Sequence, residues 1–151
     1  NPVSWLDWSL IEKNQNLYSF VKYMIAFRKR HPAIRTDLPA GRFSFPSMSF
    51  HGIHPWEPVS DLESHVLCVL FSGFDKEQQI QDTIYLAINT HWEPVTLFLP
   101  DLPFEWNWHI AVNTGDPSRT IFQDTEMPPA DHTVLLGERS VILFVVKKRS
   151  V

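Results

Sequence analysis

One cysteine in 151 residues, Cys68, excludes an intrachain disulfide and a cysteine-based zinc site, so the chain is expected in a reducing compartment, the cytoplasm. Glycine is nearly as scarce. Five glycines leave little room for a phosphate cradle, and no Gly-x-Ser-x-Gly elbow, dinucleotide fingerprint or His-Glu-x-x-His motif occurs. No apolar run approaches the roughly 20 residues of a membrane span; none exceeds six, and one of that length, Val141 to Val146, is bounded by Arg139 and Lys147. Positive charge is also short. The formal net charge is −4, and basic residues cluster only briefly, at the last few residues and at Arg28-Lys29-Arg30, so neither nucleic acid nor an anionic membrane is an expected partner. The opening Asn1-Pro2-Val3 has no initiator methionine or signal-like segment and reads as a processing boundary within something longer.

What remains is the composition of a globular domain, 44% hydrophobic and 20% charged, with mean hydropathy −0.15. A chain this long buries roughly 70% of its unfolded surface, enough for one core. Leu17, Phe20, Val21, Met24 and Ile25 fall at i, i+3, i+4, i+7 and i+8, which predicts an amphipathic helix. Asn14 or Asn16 can cap it, Arg28-Lys29-Arg30 suit its C-terminal dipole, and Pro32 ends it. Beyond Pro32, short β-branched and aromatic runs are separated by Pro, Gly, Asn and Asp, the pattern of an antiparallel β-sandwich. The expected strands are Phe43–Phe45, Ser49–Ile53, His65–Ser72, Thr83–Asn89, Val95–Leu99, Trp108–Val112, Thr133–Leu136 and Ser140–Val146. The last is apolar on both faces and should be central.

Few residues announce chemistry. Glu93 beside Trp92 and Glu57 beside Trp56 resemble sugar subsites, but each fits a turn residue next to a packed tryptophan better. His51 and His54 point to opposite faces in an extended segment and have no third ligand nearby, so no metal is expected. Six tryptophans are many for this length, and most are expected to pack, Trp5 and Trp8 beside the helix included.

Ser4-Trp5-Leu6-Asp7-Trp8-Ser9-Leu10, then Glu12-Lys13-Asn14 and a helix ending Arg28-Lys29-Arg30-His31-Pro32, resemble bacterial glycogen debranching enzymes and isoamylases of the alpha-amylase superfamily. Phe50-His51-Gly52 is similar to their Trp-His-Gly segment, with Phe50 standing where tryptophan is usual. Asn89-Thr90-His91-Trp92-Glu93-Pro94 is similar to their Asn-x-x-Trp-Glu-Pro turn, and Arg139-Ser140-Val141 to the start of their closing strand. The resemblance implies that residues 1–32 are the end of a catalytic (β/α) barrel, including its last helix, and that residues 33–151 are the C-terminal β-sandwich. The family's catalytic Asp, Glu and second Asp lie upstream on barrel strands, so no catalytic residue is carried over. Arg35-Thr36-Asp37 matches their nucleophile motif only superficially. The loop from Gly52 to Ser64 departs from the family pattern.

The expectation is therefore a mainly β, non-catalytic C-terminal portion of an intracellular debranching enzyme that hydrolyses α-1,6 branch points in the intact parent. It would act as a structural cover for the barrel of the same chain, with no cofactor and no metal. A glucan-binding module is the rival reading, with Trp92 and Trp106 the candidate carbohydrate-binding residues and α-glucan the partner; coplanar, accessible rings on one sheet face would favour it. The apolar helix stripe is expected to pack on the sandwich or on a second copy, making a homodimer of the fragment.

Overall fold

The computed structural model describes residues 5–57 and 65–149. Two helices come first, a single turn α1 (Leu10–Lys13) and then α2 (Gln15–Arg30), followed by a 3-10 turn at Pro32–Ile34. Among the described residues seven strands follow: β1 (Met48–His51), β2 (Val66–Asp75), β3 (Ile80–Asn89), β4 (Val95–Phe98), β5 (Trp106–Asn113), β6 (Thr133–Leu136) and β7 (Ser140–Lys148). They form an antiparallel five-stranded sheet in the order β1-β2-β3-β7-β5, faced by a β4–β6 pair. The chain is mainly β and sandwich-like, as its patterning predicts, and β7 does lie inside the sheet between β3 and β5.

Period-two alternation sorts the side chains into two cores. Toward β4 and β6 point Cys68 and Leu70 of β2, Tyr85 and Ala87 of β3, Ile142 and Phe144 of β7, and Trp108 of β5, which meet Leu97, Leu99 and Leu136. The opposite face presents Ile84, Leu143 and Val145 to Tyr23 and Phe27 of α2. A β-bulge between Ile110 and Val112 turns both Ala111 and Val112 to this helix side. From Ile142 to Val145 both faces of β7 are therefore buried, which is why this stretch tolerates no alternation of polarity.

Three expectations are corrected. Phe43–Phe45 is not a strand: Arg42 N–H donates to the Gln81 side chain, Ser44 has φ 55°, and the rings of Phe43 and Phe45 fold onto Trp106 and Trp56. Side-chain packing, not a ladder, fixes this segment. It reaches the sheet by crossing β2 at Gly73, where an added Cβ would sit 2.3 Å from Leu38 Cβ. Next, the buried line of α2 is Phe20, Tyr23, Met24 and Phe27, whereas Leu17, Val21 and Ile25 of the expected stripe face outward, Leu17 62% and Ile25 54% exposed. Finally, Trp5 and Trp8 are exposed and not packed beside the helix. Asn14 does stand at the α2 N-cap position, but its side chain donates to Leu10 O and caps no α2 amide.

The rotation of α2 follows from its C-terminal anchor. Asp82, buried on the helix side of β3, accepts hydrogen bonds from His31 Nδ1 at 2.8 Å and from the Ala33 N–H at 2.9 Å. Phe27, one turn before His31, packs against its ring with centroids 4.2 Å apart and is fully buried, a contribution of about 1.5–3 kcal/mol. One turn earlier still, Tyr23 Oη donates to Phe122 O at 2.8 Å.

Replacing Asp82 by Ala should lower the unfolding free energy by about 2 kcal/mol, since the buried Ala33 N–H loses its acceptor. Urea titration checks the magnitude, and hydrogen exchange should show the loss concentrated in the last turn of α2.

Candidate functional site

Trp92, the better exposed of the two candidate sugar-binding residues, sits in the turn between β3 and β4, and the turn is built by one buried side chain. Asn89 Nδ2 donates to Glu93 O and to Gly137 O, both at 2.9 Å, while its Oδ1 accepts the His91 N–H. His91 Nδ1 accepts the Glu93 N–H, and His91 O accepts the Arg139 N–H. An asparagine is needed because only an amide both accepts and donates twice in this space. The Asn-x-x-Trp-Glu-Pro segment thus ties the β3–β4 turn to the β6–β7 turn.

On this frame three rings form a surface stack. His65 lies on His91 at 4.8 Å, and His91 lies on Trp92 at 4.3 Å with their planes 25° apart. Trp92 is 67% exposed, so one face of the stack is open.

Trp106 is elsewhere. It opens β5 opposite Lys148, at the far end of β7 from Ser140, which pairs with Asn89. Eight residue steps along that strand are roughly 26 Å. Trp106 is half-buried, edge-on against Phe43. The structure therefore does not bring Trp92 and Trp106 together, and they share no sheet face.

The carboxylates are equally scattered. Glu57 and Glu93 are exposed, and neither side chain bonds another described residue. Arg35, Thr36 and Asp37 lie exposed after the 3-10 turn, off any strand. Residues 58–64 of the loop from Gly52 to Ser64 lie outside the described residues.

His51 and Ser49 approach a hydrolase pair more closely, since Ser49 Oγ is 2.8 Å from His51 Nε2. The tautomer is wrong for it. His51 Nδ1 accepts the Trp56 N–H at 2.8 Å, so the proton of the neutral ring is on Nε2, which donates to Ser49 instead of drawing its proton. This bond holds Trp56 in a left-handed conformation, φ 69°. Burial pulls the His51 pKa below 6.5. Cys68 is no better a nucleophile, because burial pushes its thiol up to about 12. Among the described residues no group of three His, Cys, Asp or Glu is placed to hold a metal ion.

No protein-family model matches the chain. Curated relatives do. The chain is 27% identical over 135 residues to isoamylase 1, chloroplastic, of Oryza sativa subsp. japonica, covering 89% of this chain and 16% of that protein. It is 28% identical over 122 residues to an isoamylase of Pseudomonas amyloderamosa, 77% of this chain and 15% of that protein. Isoamylase SU1, chloroplastic, of Zea mays matches at 27% over 136 residues, 87% and 16%. The homologues of this chain are thus isoamylases, at 27–28% identity over most of its length. The chain spans about one sixth of the length of the isoamylases it matches. No helix among the described residues is long and apolar enough to cross a membrane.

The Asn89–Pro94 motif is legible in the sequence. The partners that make it a structural knot are not, because Gly137 lies 48 residues from Asn89, Arg139 bonds His91 across the same turn pair, and neither carries a local signal.

Because the His51 pKa is lower folded than unfolded, the unfolded chain binds the extra proton first. Stability present above pH 6.5 should fall as pH drops from there toward the lowered value. Thermal unfolding at pH 7.5 and pH 5 should show a smaller pH loss for His51→Gln than for the parent. Replacing Asn89 by Ala should cost about 2–3 kcal/mol, since two carbonyls and one N–H lose their partner; chemical denaturation measures it.

Proposed function

We propose that the chain is the non-catalytic C-terminal portion of an isoamylase-type α-1,6-glucan debranching enzyme. In this reading residues 1–32 are the end of the catalytic barrel, residues 33–151 are the β-sandwich, and the whole covers one side of the barrel. The observation that carries the proposal is an apolar groove of ≈ 710 Å³ between α2 and the outer face of the sheet. Val21 and Ile25 form one wall, and Phe71, Leu86 and Val141 the other. Leu17, Trp5 and Trp8 are exposed as well. A surface of this kind supports a docking role, and the length of the relatives suggests an occupant, since about five-sixths of it lies outside the match. The rest of the same parent chain is the partner proposed for it.

Chemistry then belongs to that missing portion. A cytoplasmic site for the parent remains part of the proposal, supported by the buried, unpaired Cys68; the names of the rice and maize relatives place those proteins in chloroplasts. A second reading, glucan binding by this portion, is favoured by one observation, the open face of Trp92 on the His91–His65 stack. A single ring supports only weak binding, because Trp106 lies too far away to engage the same short stretch of glucan.

The isolated chain should release no reducing sugar from glycogen, amylopectin or pullulan; turnover lost on changing Glu57 or Glu93 would reverse the assignment. In light scattering it should self-associate with concentration through the uncovered face. Val21→Glu with Ile25→Glu should abolish that association and change folding stability by less than about 0.5 kcal/mol, as exposed positions do. A chain that stays monomeric at all concentrations counts against a docking face. Retardation in glycogen-containing gels should be slight and lost in Trp92→Ala; strong retardation would favour the binding-module reading.

A further inference from the structure

The outer face of the β5–β7 edge holds a second feature that the debranching reading does not use. Register places Asn107 directly opposite Lys147, and alternation puts His109 and Arg149 on the same face, one pair to either side. The 3-10 turn at Asp124–Glu126 forms the facing wall. Together they enclose an open cavity of ≈ 470 Å³, lined by these four residues with Lys148, Asp124, Thr125 and the edge of Met127–Pro129. We propose that this cavity is a binding site for a phosphate group, free or carried on a sugar.

The donors are held in place while leaving hydrogen-bonding capacity. Arg149 is fixed by its N–H to Glu105 O, by Nε donating to Asn107 Oδ1 at 2.9 Å, and by its guanidinium lying 4.8 Å over the Phe104 ring. Those contacts use Nε and the π face and leave both terminal nitrogens of the fork unbonded among the described residues. Asn107 accepts that bond through Oδ1, so its Nδ2 is a spare donor. His109 Nδ1 donates to Met127 O at 2.9 Å, which orients Nε2 away from that carbonyl. Lys147 Nζ is already committed to Asp124, donating to its carbonyl and lying 3.5 Å from its carboxylate, and so braces the wall. Lys148 Nζ is 3.9 Å from Glu105, an exposed pair that costs little to open.

Charge points the same way. Lys147, Lys148 and Arg149 meet the carboxylates of Asp124 and Glu105 here, Glu126 of the same turn being paired with Arg119, in a chain whose formal net charge is −4, so an anion is drawn to this edge against the field of the rest of the molecule. The planar fork of Arg149 with the amide beside it suits two oxygens of one tetrahedral anion, the geometry in which arginine outperforms lysine. The polar walls suit a hydroxylated carrier better than an apolar one. None of these residues belongs to the apolar groove or the Trp92 stack, so the proposal stands or falls apart from the debranching reading.

The test is a titration of the full 151-residue chain with inorganic phosphate against sodium chloride of equal ionic strength. It is followed by amide shifts of Asn107, His109 and Lys147 to Arg149. Saturable shifts confined to this edge are expected. Asn107→Asp keeps the acceptor for Arg149 Nε but places a negative charge in the cavity, and should weaken phosphate roughly tenfold or more. Arg149→Gln should do likewise, with thermal unfolding unchanged in both, and Lys13→Gln, a loss of charge on α1, should have no effect. Glucose 6-phosphate, with glucose as its control, separates the sources: several-fold tighter binding than inorganic phosphate indicates a sugar phosphate, and equal binding indicates the free ion. Shifts no larger than those in chloride, or phosphate binding indifferent to Asn107→Asp and Arg149→Gln, would overturn the site.

Discussion

Everything on the helix side of this molecule depends on one buried carboxylate. Asp82 takes two N–H donors from the segment that leaves α2, and a buried acceptor of that kind tolerates neither donor moving away. Helix α2 can therefore turn about its axis only within what His31 and Ala33 allow. That constraint presents Tyr23 and Phe27 to the sheet and sends Val21 and Ile25 outward. A helix ruled by its own apolar stripe would have settled differently. The tether outweighs the stripe because losing it strands polar groups in a dry interior, whereas an exposed Val or Ile loses only the transfer free energy it would have gained.

The opposite end of the sheet repeats the logic with a different side chain. Asn89 is buried among the β3–β4 and β6–β7 turns and satisfies three backbone groups at once. The exposed Trp92 is held at the surface by this knot and by stacking on His91, so its position is fixed although its ring is open to solvent. Rigidity and exposure together are what a docking residue needs. They also arise simply because a turn built around Asn89 has to place its next residues outside the core.

The legible part of the fold was the part governed by alternation. Strands Thr133–Leu136 and Ser140–Lys148 could be read nearly to the residue, because their side chains answer to two flat faces. Phe43–Phe45 has the same composition but no ladder partner. What decides it is the packing of Phe43 on Trp106 and of Phe45 on Trp56, contacts more than 10 and up to about 60 residues away. The helix was legible in extent and not in rotation, since Asp82 lies some 50 residues from His31. Of the candidate site residues, Trp92 and Trp106 could be chosen as aromatic and flanking strands. Their placement at opposite ends of β7 follows from sheet order alone, which no local window contains.

Sheet order also explains why polar and apolar surfaces divide as they do. The β2–β3 half of the outer face and one flank of α2 remain apolar because α2 is tethered toward β5 and β7, where Tyr23 reaches Phe122 and Ala111. Had α2 lain centrally, the groove between Val21 and Phe71 would have closed. The β5–β7 edge, by contrast, runs past the end of α2, and there β7 changes from Val145 and Val146 to Lys147 and Lys148. Strand β7 is thus apolar as far as something packs on it and charged as soon as nothing does. The apolar residues left bare beside α2 break that rule within the same molecule, and the rule is restored only if another surface lies against them.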